Sequence, residues 1–435
     1  MQTIEQLLSG ELIGVKKVKI SSGLNEFPKE LFDLKDTLEF LDLSGNNISE
    51  LPDNFQEFKK LKIVFISNNK FTIFPKVLAN CPNLTMIGFR SNQIVEIPEN
   101  SFPLNLQWLI LTENKIEVLP NSIGDCEYLQ KFAISGNRLK TLPNEMKNCR
   151  RLELLRISAN LIDSIPSWLL LLPRLSWLAY SGNPCSIIDV NLIKIDTISW
   201  DDLEVKQQLG EGASGIISKA IWKSKDSKEV AVKVFKGEVT SDGLPEDELA
   251  TCIAAGDHPN LVPLIAEIIN HSEFKKGIVM GLIPSDYSNL GNPPSFETCT
   301  RDVFSSTKTM LIEKVVNILS NVASVSFHLH ERGILHGDLY AHNTMINENG
   351  DALLGDFGAA TFYNQSDETS LLIERLDVRA FGCLIEDLLN QVSNKESATY
   401  DSLFELKNKC MNEIVYKRVD FKEILNTLKI QKTIN

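Results

Sequence analysis

Seven asparagines set the frame of the first half of this chain: Asn46, Asn69, Asn92, Asn114, Asn137, Asn160 and Asn183 follow one another at intervals of 23 residues, with a single step of 22. Around them recurs one pattern, L-x-x-L-x-L-x-x-N-x-I-x-x-L-P, and a degenerate first copy runs from Val18 to Pro28. In each copy the apolar residues alternate (Leu38, Leu41, Leu43; Leu61, Val64, Ile66; Leu106, Leu109, Leu111), the period of a short strand with one buried face. A strand so short cannot bury that face alone. Only stacking of neighbouring copies can, so the spacing predicts a solenoid. Each asparagine follows its strand, where the amide can satisfy backbone groups at the turn, and the row is read as structural. The pairs Leu51-Pro52, Phe74-Pro75, Leu119-Pro120, Leu142-Pro143 and Ile165-Pro166 close the turns on the convex side, and Ser181 to Cys185 reads as a final copy plus cap.

A many-position pattern repeated this often resembles the leucine-rich-repeat family, whose members bind and position other molecules. The frame also exposes a column of residues between the buried leucines. Just before each second core leucine stand Phe40, Ile63, Met86, Trp108, Lys131, Leu154 and Trp177, and just after it stand, among others, Phe65 and Ile110. Six of the seven in the first column are large and apolar where the fold does not ask for it. The expectation is a protein ligand on the concave face, anchored by Phe40, Phe65, Trp108, Ile110 and Trp177, since aromatic anchors are typical of binding hot spots.

Charge and cysteine usage narrow the partners. A formal net charge of −13 over 435 residues disfavours nucleic acid or an anionic membrane, because phosphate binding needs a cationic surface. The longest uninterrupted apolar run considered, Trp168 to Leu172, is far short of the ~20 residues a membrane span requires, and the first 30 residues hold no signal-peptide pattern. Eight cysteines lie scattered without metal-binding spacing, and Cys81, Cys126 and Cys149 each fall three residues before a repeat-starting leucine. They read as reduced core thiols, which places the chain in a reducing compartment, the cytoplasm.

From Trp200 the 23-residue frame vanishes. The division expected is a solenoid over 1–190, a linker over 191–200 and a second domain over 201–435. Leu209 to Gly215 reads LGEGASG, with Gly210, Gly212 and Gly215 between two β-type stretches. A dinucleotide fold would need a helix after the third glycine, yet Ile216, Ile217 and Val230-Ala231-Val232-Lys233 read as strands. Further on stand Glu248, His258-Pro259-Asn260-Leu261-Val262, Ile278-Val279-Met280-Gly281-Leu282, and His336-Gly337-Asp338-Leu339-Tyr340-Ala341-His342-Asn343, with Asp356-Phe357-Gly358 eighteen residues after Asp338. Asp377-Val378-Arg379-Ala380-Phe381-Gly382 and Arg418-Val419-Asp420-Phe421 close the series.

In this order the motifs resemble the protein kinase family over essentially all of residues 201–435, and the fold implied is an α/β leucine-rich-repeat solenoid followed by a bilobal α+β protein kinase. The resemblance implies ATP and Mg²⁺ as cofactors, with Lys233 on the α- and β-phosphates and Glu248 as its ion partner. Asp338 would accept the proton of the attacking hydroxyl, while Asn343 and Asp356 would supply hard oxygen ligands to Mg²⁺. Gly210, Gly212, Ser214, Gly215, Ile217, Ala231, Lys233, Met280 and Leu282 would line the ATP site, with Met280 as gatekeeper and the backbone of Gly281 and Leu282 facing adenine. The expected activity is phosphorylation of Ser or Thr hydroxyls of a protein. A small-molecule phosphotransferase and a pseudokinase scaffold are the alternatives.

Three departures bear on the substrate. Gly337 replaces the usual arginine before the catalytic aspartate, which normally receives a phosphate from the activation loop, and Tyr340 replaces a lysine. The H-G-D-L-x-x-x-N form is also favoured by small-molecule phosphotransferases. No A-P-E triplet ends the activation segment; only Glu374 is placed to do its job, pairing with Arg418.

Overall fold

Each copy of the repeat delivers one three-residue strand, because a single alternating triplet is all that the frame offers between its turns. In the computed structural model, which describes residues 1–186, 195–212, 214–225, 227–236, 239–305 and 309–434, contacts divide the chain into two units. The first holds Met1–Leu172 with Asn183–Cys185, the second Pro173–Gly182 with Ser186–Asn435.

In the first unit a short helix, α1 (Ile4–Leu8), starts at Thr3, whose hydroxyl accepts from the Gln6 N–H in a reciprocal capping box. It is followed by β1 (Lys17–Lys19), β2 (Phe40–Asp42), β3 (Ile63–Phe65), β4 (Met86–Gly88), β5 (Trp108–Ile110), β6 (Lys131–Ala133) and β7 (Leu154–Arg156). All pair in parallel in sequence order, and the central core residues of adjacent strands stay in register: Leu41 faces Val64, Val64 faces Ile87, and Leu109 faces Phe132. On the other side Pro75, Pro120 and Pro143 each stand at the N-cap of a 3₁₀ turn, in extended backbone just before its first residue. A last turn, α2 (Ser167–Leu170), follows Pro166 in the same way.

The asparagines do the work expected of them. Asn137 Nδ2 donates to Leu111 O at 2.9 Å and to Ile134 O at 3.0 Å, and its Oδ1 accepts from Ile116 N at 3.0 Å. Asn69, Asn114 and Asn160 repeat this, so carbonyls that the narrow stack would leave orphaned are satisfied from within. Cys81, Cys126 and Cys149 are buried and unbridged, and burial pushes each thiol up to about 12.

The second unit takes in a segment that the repeat frame assigned to the solenoid, β8 (Trp177–Ala179). Within the expected linker, residues 191–194 lie outside the described residues, whereas Thr197–Ser199 form β9. There follow β10 (Leu203–Glu211), β11 (Gly215–Trp222), β12 (Lys228–Phe235), α3 (Pro245–Ala255), β13 (Leu264–Ile269) and β14 (Gly277–Gly281). These strands form one sheet in the order β10-β11-β12-β14-β13-β9, antiparallel except that β9 runs parallel to β13. One face buries Ala220, Val230, Val232, Ala266, Val279 and Ile198 of β9.

The remainder is mostly helical. It contains β15 (Ser288–Asn289), α4 (Ile312–His330), β16 (Ile334–Leu335), β17 (Thr344–Ile346), β18 (Ala352–Leu354), β19 (Thr361–Phe362), α5 (Ser370–Gln391), α6 (Ala398–Cys410) and α7 (Phe421–Ile434). Two small sheets, β15-β17-β18 and β16-β19, hold the loops between α4 and α5. Among the described residues no helix is long and apolar enough to cross a membrane.

Candidate active site

The alternation of β12 determines where its lysine goes. Val230 and Val232 enter the sheet core, and Lys233 lies opposite Ile278 of β14 and Ile217 of β11. The lysine is 6% exposed, and its ammonium group meets the Glu248 carboxylate of α3 in a buried ion pair and stands 4.0 Å from Asp356 Oδ1. Burial pushes the Glu248 carboxyl up to about 7 against the pull of Lys233. Burial also works against the charge on Lys233, but Glu248 and Asp356 outweigh it and raise its pKa. The pair that the resemblance implied, Lys233 with Glu248, is the one that forms; Glu246, earlier in α3, meets Lys276.

Above this pair lies the glycine turn between β10 and β11. A Cβ placed on Gly210 or Gly212 would meet nothing within 4 Å, whereas one on Gly215 would lie 2.6 Å from Val234 O; the turn is closed by the Gly212 N–H, which donates to Gly215 O at 3.0 Å. The first two glycines therefore leave room for a ligand, and the third lets two strands approach. Ser214 and Ala231 are buried, and Ile217, Met280 and Leu282 are half-buried. One detail differs from expectation: the Gly281 N–H donates to Pro263 O at 2.8 Å, so it does not serve a base.

The opposite wall is the loop between β16 and β17. Asp338 follows Gly337, whose φ of +70° turns the chain sharply. Asn343 Nδ2 donates to Asp338 O at 2.9 Å and to Asp338 Oδ2 at 2.8 Å, which fixes the carboxylate and turns the amide oxygen of Asn343 away from it. Asp356 sits at φ +57° and accepts from Gly358 N at 3.2 Å, with its side chain half exposed. Phe357 turns the other way, into a cluster with Ala255 of α3, Leu261, Val325, Leu329 and Ile334. The oxygens of Asn343 and Asp356 are hard donors suited to Mg²⁺. So the residues present fit a nucleotide with its metal ion.

What holds this loop was less visible in the sequence. Asp377 of α5, fully buried, accepts from His336 N at 2.9 Å, from Gly337 N at 3.1 Å and pairs with His330 Nε2 at 3.1 Å. The D-V-R-A-F-G match located this residue but not its role. His342, just before Asn343, bonds Asp302 through both Nδ1 and its backbone N–H, and no motif pointed to Asp302. The Asn260 side chain donates to Ala352 O, which clips the H-P-N element to β18.

Two expectations are corrected. Glu374 does not pair with Arg418: it accepts from Tyr363 Oη at 2.9 Å, while the Arg418 guanidinium donates to the carbonyls of Arg375, Asn412 and Pro173. Trp177 is not an anchor for an outside ligand. It is 1% exposed, donates from Nε1 to Leu339 O at 3.1 Å and stacks on Tyr340 with ring centroids 4.3 Å apart. A tryptophan in such a position has its face and its N–H already engaged. Of the remaining column, Met86 and Leu154 are also buried, and Phe40, Phe65, Trp108 and Ile110 are half-buried rather than widely exposed.

Known proteins agree with the geometry. Residues 203–378 match the protein kinase domain family and residues 36–94 the leucine rich repeat family. A probable serine/threonine-protein kinase of Dictyostelium discoideum is 31% identical over 163 residues, 37% of this chain and 9% of that protein. The mouse cyclin-dependent kinase 11B is 30% identical over 168 residues (38% and 20%), and the zebrafish tyrosine-protein kinase receptor TYRO3 is 22% identical over 276 residues (52% and 31%). The chain therefore spans less than a third of the length of each of these relatives. Repeat frame, buried Lys233–Glu248 pair and family matches converge on one statement: this chain is an N-terminal leucine-rich-repeat region fused to a protein kinase domain.

Proposed function

We propose that the chain transfers the γ-phosphoryl group of Mg-ATP to Ser or Thr hydroxyls of a protein. The observation that carries this is the assembled Lys233–Glu248 pair with Asp356 beside it, facing an Asp338 held by Asn343. Lys233 would bind phosphate oxygens in the space that Gly210 and Gly212, lacking side chains, leave open. Asp338 would orient the acceptor hydroxyl and take its proton. Asn343 and Asp356 would hold Mg²⁺, which when bound neutralises phosphate charge. Names of relatives favour a Ser/Thr acceptor over Tyr, and the four half-buried residues Phe40, Phe65, Trp108 and Ile110 remain the proposed contact for a protein partner of the repeats.

A second reading, a small-molecule acceptor, draws on one observation: only residues 363–369 separate β19 from α5, a short stretch in which to hold a peptide. The deciding experiment measures ³²P transfer from ATP to generic Ser/Thr and Tyr peptides and to amino alcohols, for wild type and Asp338→Asn. The substitution preserves the hydrogen bond from Asn343, so the fold should stand while transfer falls by about 10³-fold or more. Transfer within tenfold of wild type would overturn the assignment of Asp338, and labelling of amino alcohols alone would replace the protein acceptor.

A further inference from the structure

The segment Pro173–Gly182 keeps the spacing of a repeat yet touches the catalytic loop at several points. Trp177 Nε1 donates to the carbonyl of Leu339, the residue after Asp338, and its ring lies parallel to Tyr340 at an interplanar angle of 8°. Tyr340 in turn packs on His342 with centroids 4.8 Å apart, so one column of rings runs from Trp177 to the residue before Asn343. Leu178 O occupies the space where a Cβ on Gly337 would stand, at 2.5 Å. Ala359 O closes the same space at 2.8 Å, so a side chain at 337 is blocked from both sides. Tyr180 Oη donates to Phe362 O at 3.3 Å, which ties the segment to β19. Its start is fixed by two buried arginines: Arg379 donates to Pro173 O and Ser176 Oγ, and Arg418 donates to Pro173 O at 2.9 Å. Its end reaches α3, where Ser181 hydrogen-bonds the carboxyl of Asp247, the neighbour of Glu248.

We propose that Trp177 is a positioning residue for Asp338, and that Pro173–Gly182 is an in-chain brace packed against the loop at Gly337. The brace fixes the loop from Leu339 to His342 by stacking and one hydrogen bond, and needs no phosphate to do so. It acts on the acceptor side of the site and leaves the nucleotide side to Lys233 and Glu248. Losing it therefore affects kcat rather than ATP binding. This inference rests on the kinase reading above.

The test uses the full chain and compares wild type, Trp177→Leu, Trp177→Phe and Asp338→Asn in steady-state phosphorylation of a generic Ser/Thr peptide, with thermal midpoints. Trp177→Leu fills the site but removes both ring and donor, and kcat should fall about 30-fold with KM for ATP within about threefold. Trp177→Phe restores the stack without the donor and should recover most of kcat, leaving it about three- to fivefold below wild type. A folded Trp177→Leu protein with wild-type kcat overturns the brace. Equal losses in kcat and ATP affinity, following the thermal midpoint, also overturn it, since they mark a merely structural residue. Should Trp177→Leu not fold, Trp177→Phe decides alone: a kcat lowered at constant KM for ATP supports the brace, and an unchanged kcat refutes it. Asp338→Asn separates the two claims. If it stays active, the kinase reading fails whatever Trp177 does; if it is dead while Trp177→Leu is fully active, only the brace fails.

Discussion

The two units solve the same problem, keeping tight turns hydrogen-bonded inside a core, in opposite ways. The repeats distribute it: a row of similar asparagines, each tied to a carbonyl of its own copy and to a carbonyl and an N–H of the preceding one. The kinase domain concentrates it, with Asp377 alone receiving two backbone N–H groups of the catalytic loop and the His330 ring. A distributed solution tolerates loss of a member because its neighbours remain. A concentrated one gives precision at a single point and has nothing behind it.

The largest effect should come from Asp377→Ala, which orphans three donors in a fully buried place. Breaking such a network costs about 3–5 kcal/mol, so a chemical-denaturation curve should show early unfolding of the kinase domain, and activity should fall with it. A merely modest shift would mean that the concentration is only apparent. Next, Asn114→Ala leaves Ile94 N without its acceptor and removes one of the two amide donors from each of Phe89 O and Leu111 O. The expected loss is about 2 kcal/mol, read as a lower midpoint for the repeats with kinase activity per folded molecule unchanged. If Asn114→Ala cost as much as Asp377→Ala, the distributed reading would be wrong.

A smaller effect concerns Asp247. Burial raises its carboxyl to about 6, with Glu246 adding to the rise and Ser181 opposing it. The folded chain thus binds this proton more tightly than the unfolded one, so stability falls as pH rises from about 4 to about 7. Asp247→Asn should remove that loss: a midpoint unchanged at pH 4 and raised at pH 8, by about 1 kcal/mol after discounting for partial exposure. A lower midpoint at pH 8 would show that the charge on Asp247 is needed. The smallest effect expected is none. Thr361 is 1% exposed with its hydroxyl on Ala359 O, so it is withdrawn from modification. Replacing Ser366, Thr369 and Ser370 by alanine should leave peptide phosphorylation within about twofold, since Gly337 offers no cation to a phosphate. Collapse of activity would reveal a phosphate switch.

Much of this molecule could be read from its sequence because the relevant signals are local. Leu41, Val64 and Ile87 declare their strands by alternation, and Lys233, Asp338, Asn343 and Asp356 declare themselves by the motifs around them. Glu248 was identified despite irregular spacing, from its place ahead of the H-P-N element, and its burial against Lys233 distinguishes it from Glu246. What escaped is what depends on residues far apart. Trp177 obeys the repeat frame as well as Trp108 does, and nothing within twenty residues says that its ring will meet Tyr340. Arg418 and Glu374 looked like partners by charge, but the guanidinium found backbone carbonyls with better fork geometry and the carboxylate found a phenol. Thr197–Ser199 was read as linker because three residues carry no period, and only the unpaired edge of β13 makes them a strand.

Gly337 and the carbonyl of Leu178 set a limit on how such a chain can be recombined. A crossover at residue 200, the natural seam by motif, would give a new partner a catalytic loop with an empty groove beside Tyr340 and a glycine where an arginine would otherwise compensate. Such a hybrid would inherit every catalytic side chain and still lack the surface against which they were selected. The catalytic unit starts at Pro173, inside the repeat frame, so an exchange of the repeats that spares the catalytic loop has to leave their last strand behind with it.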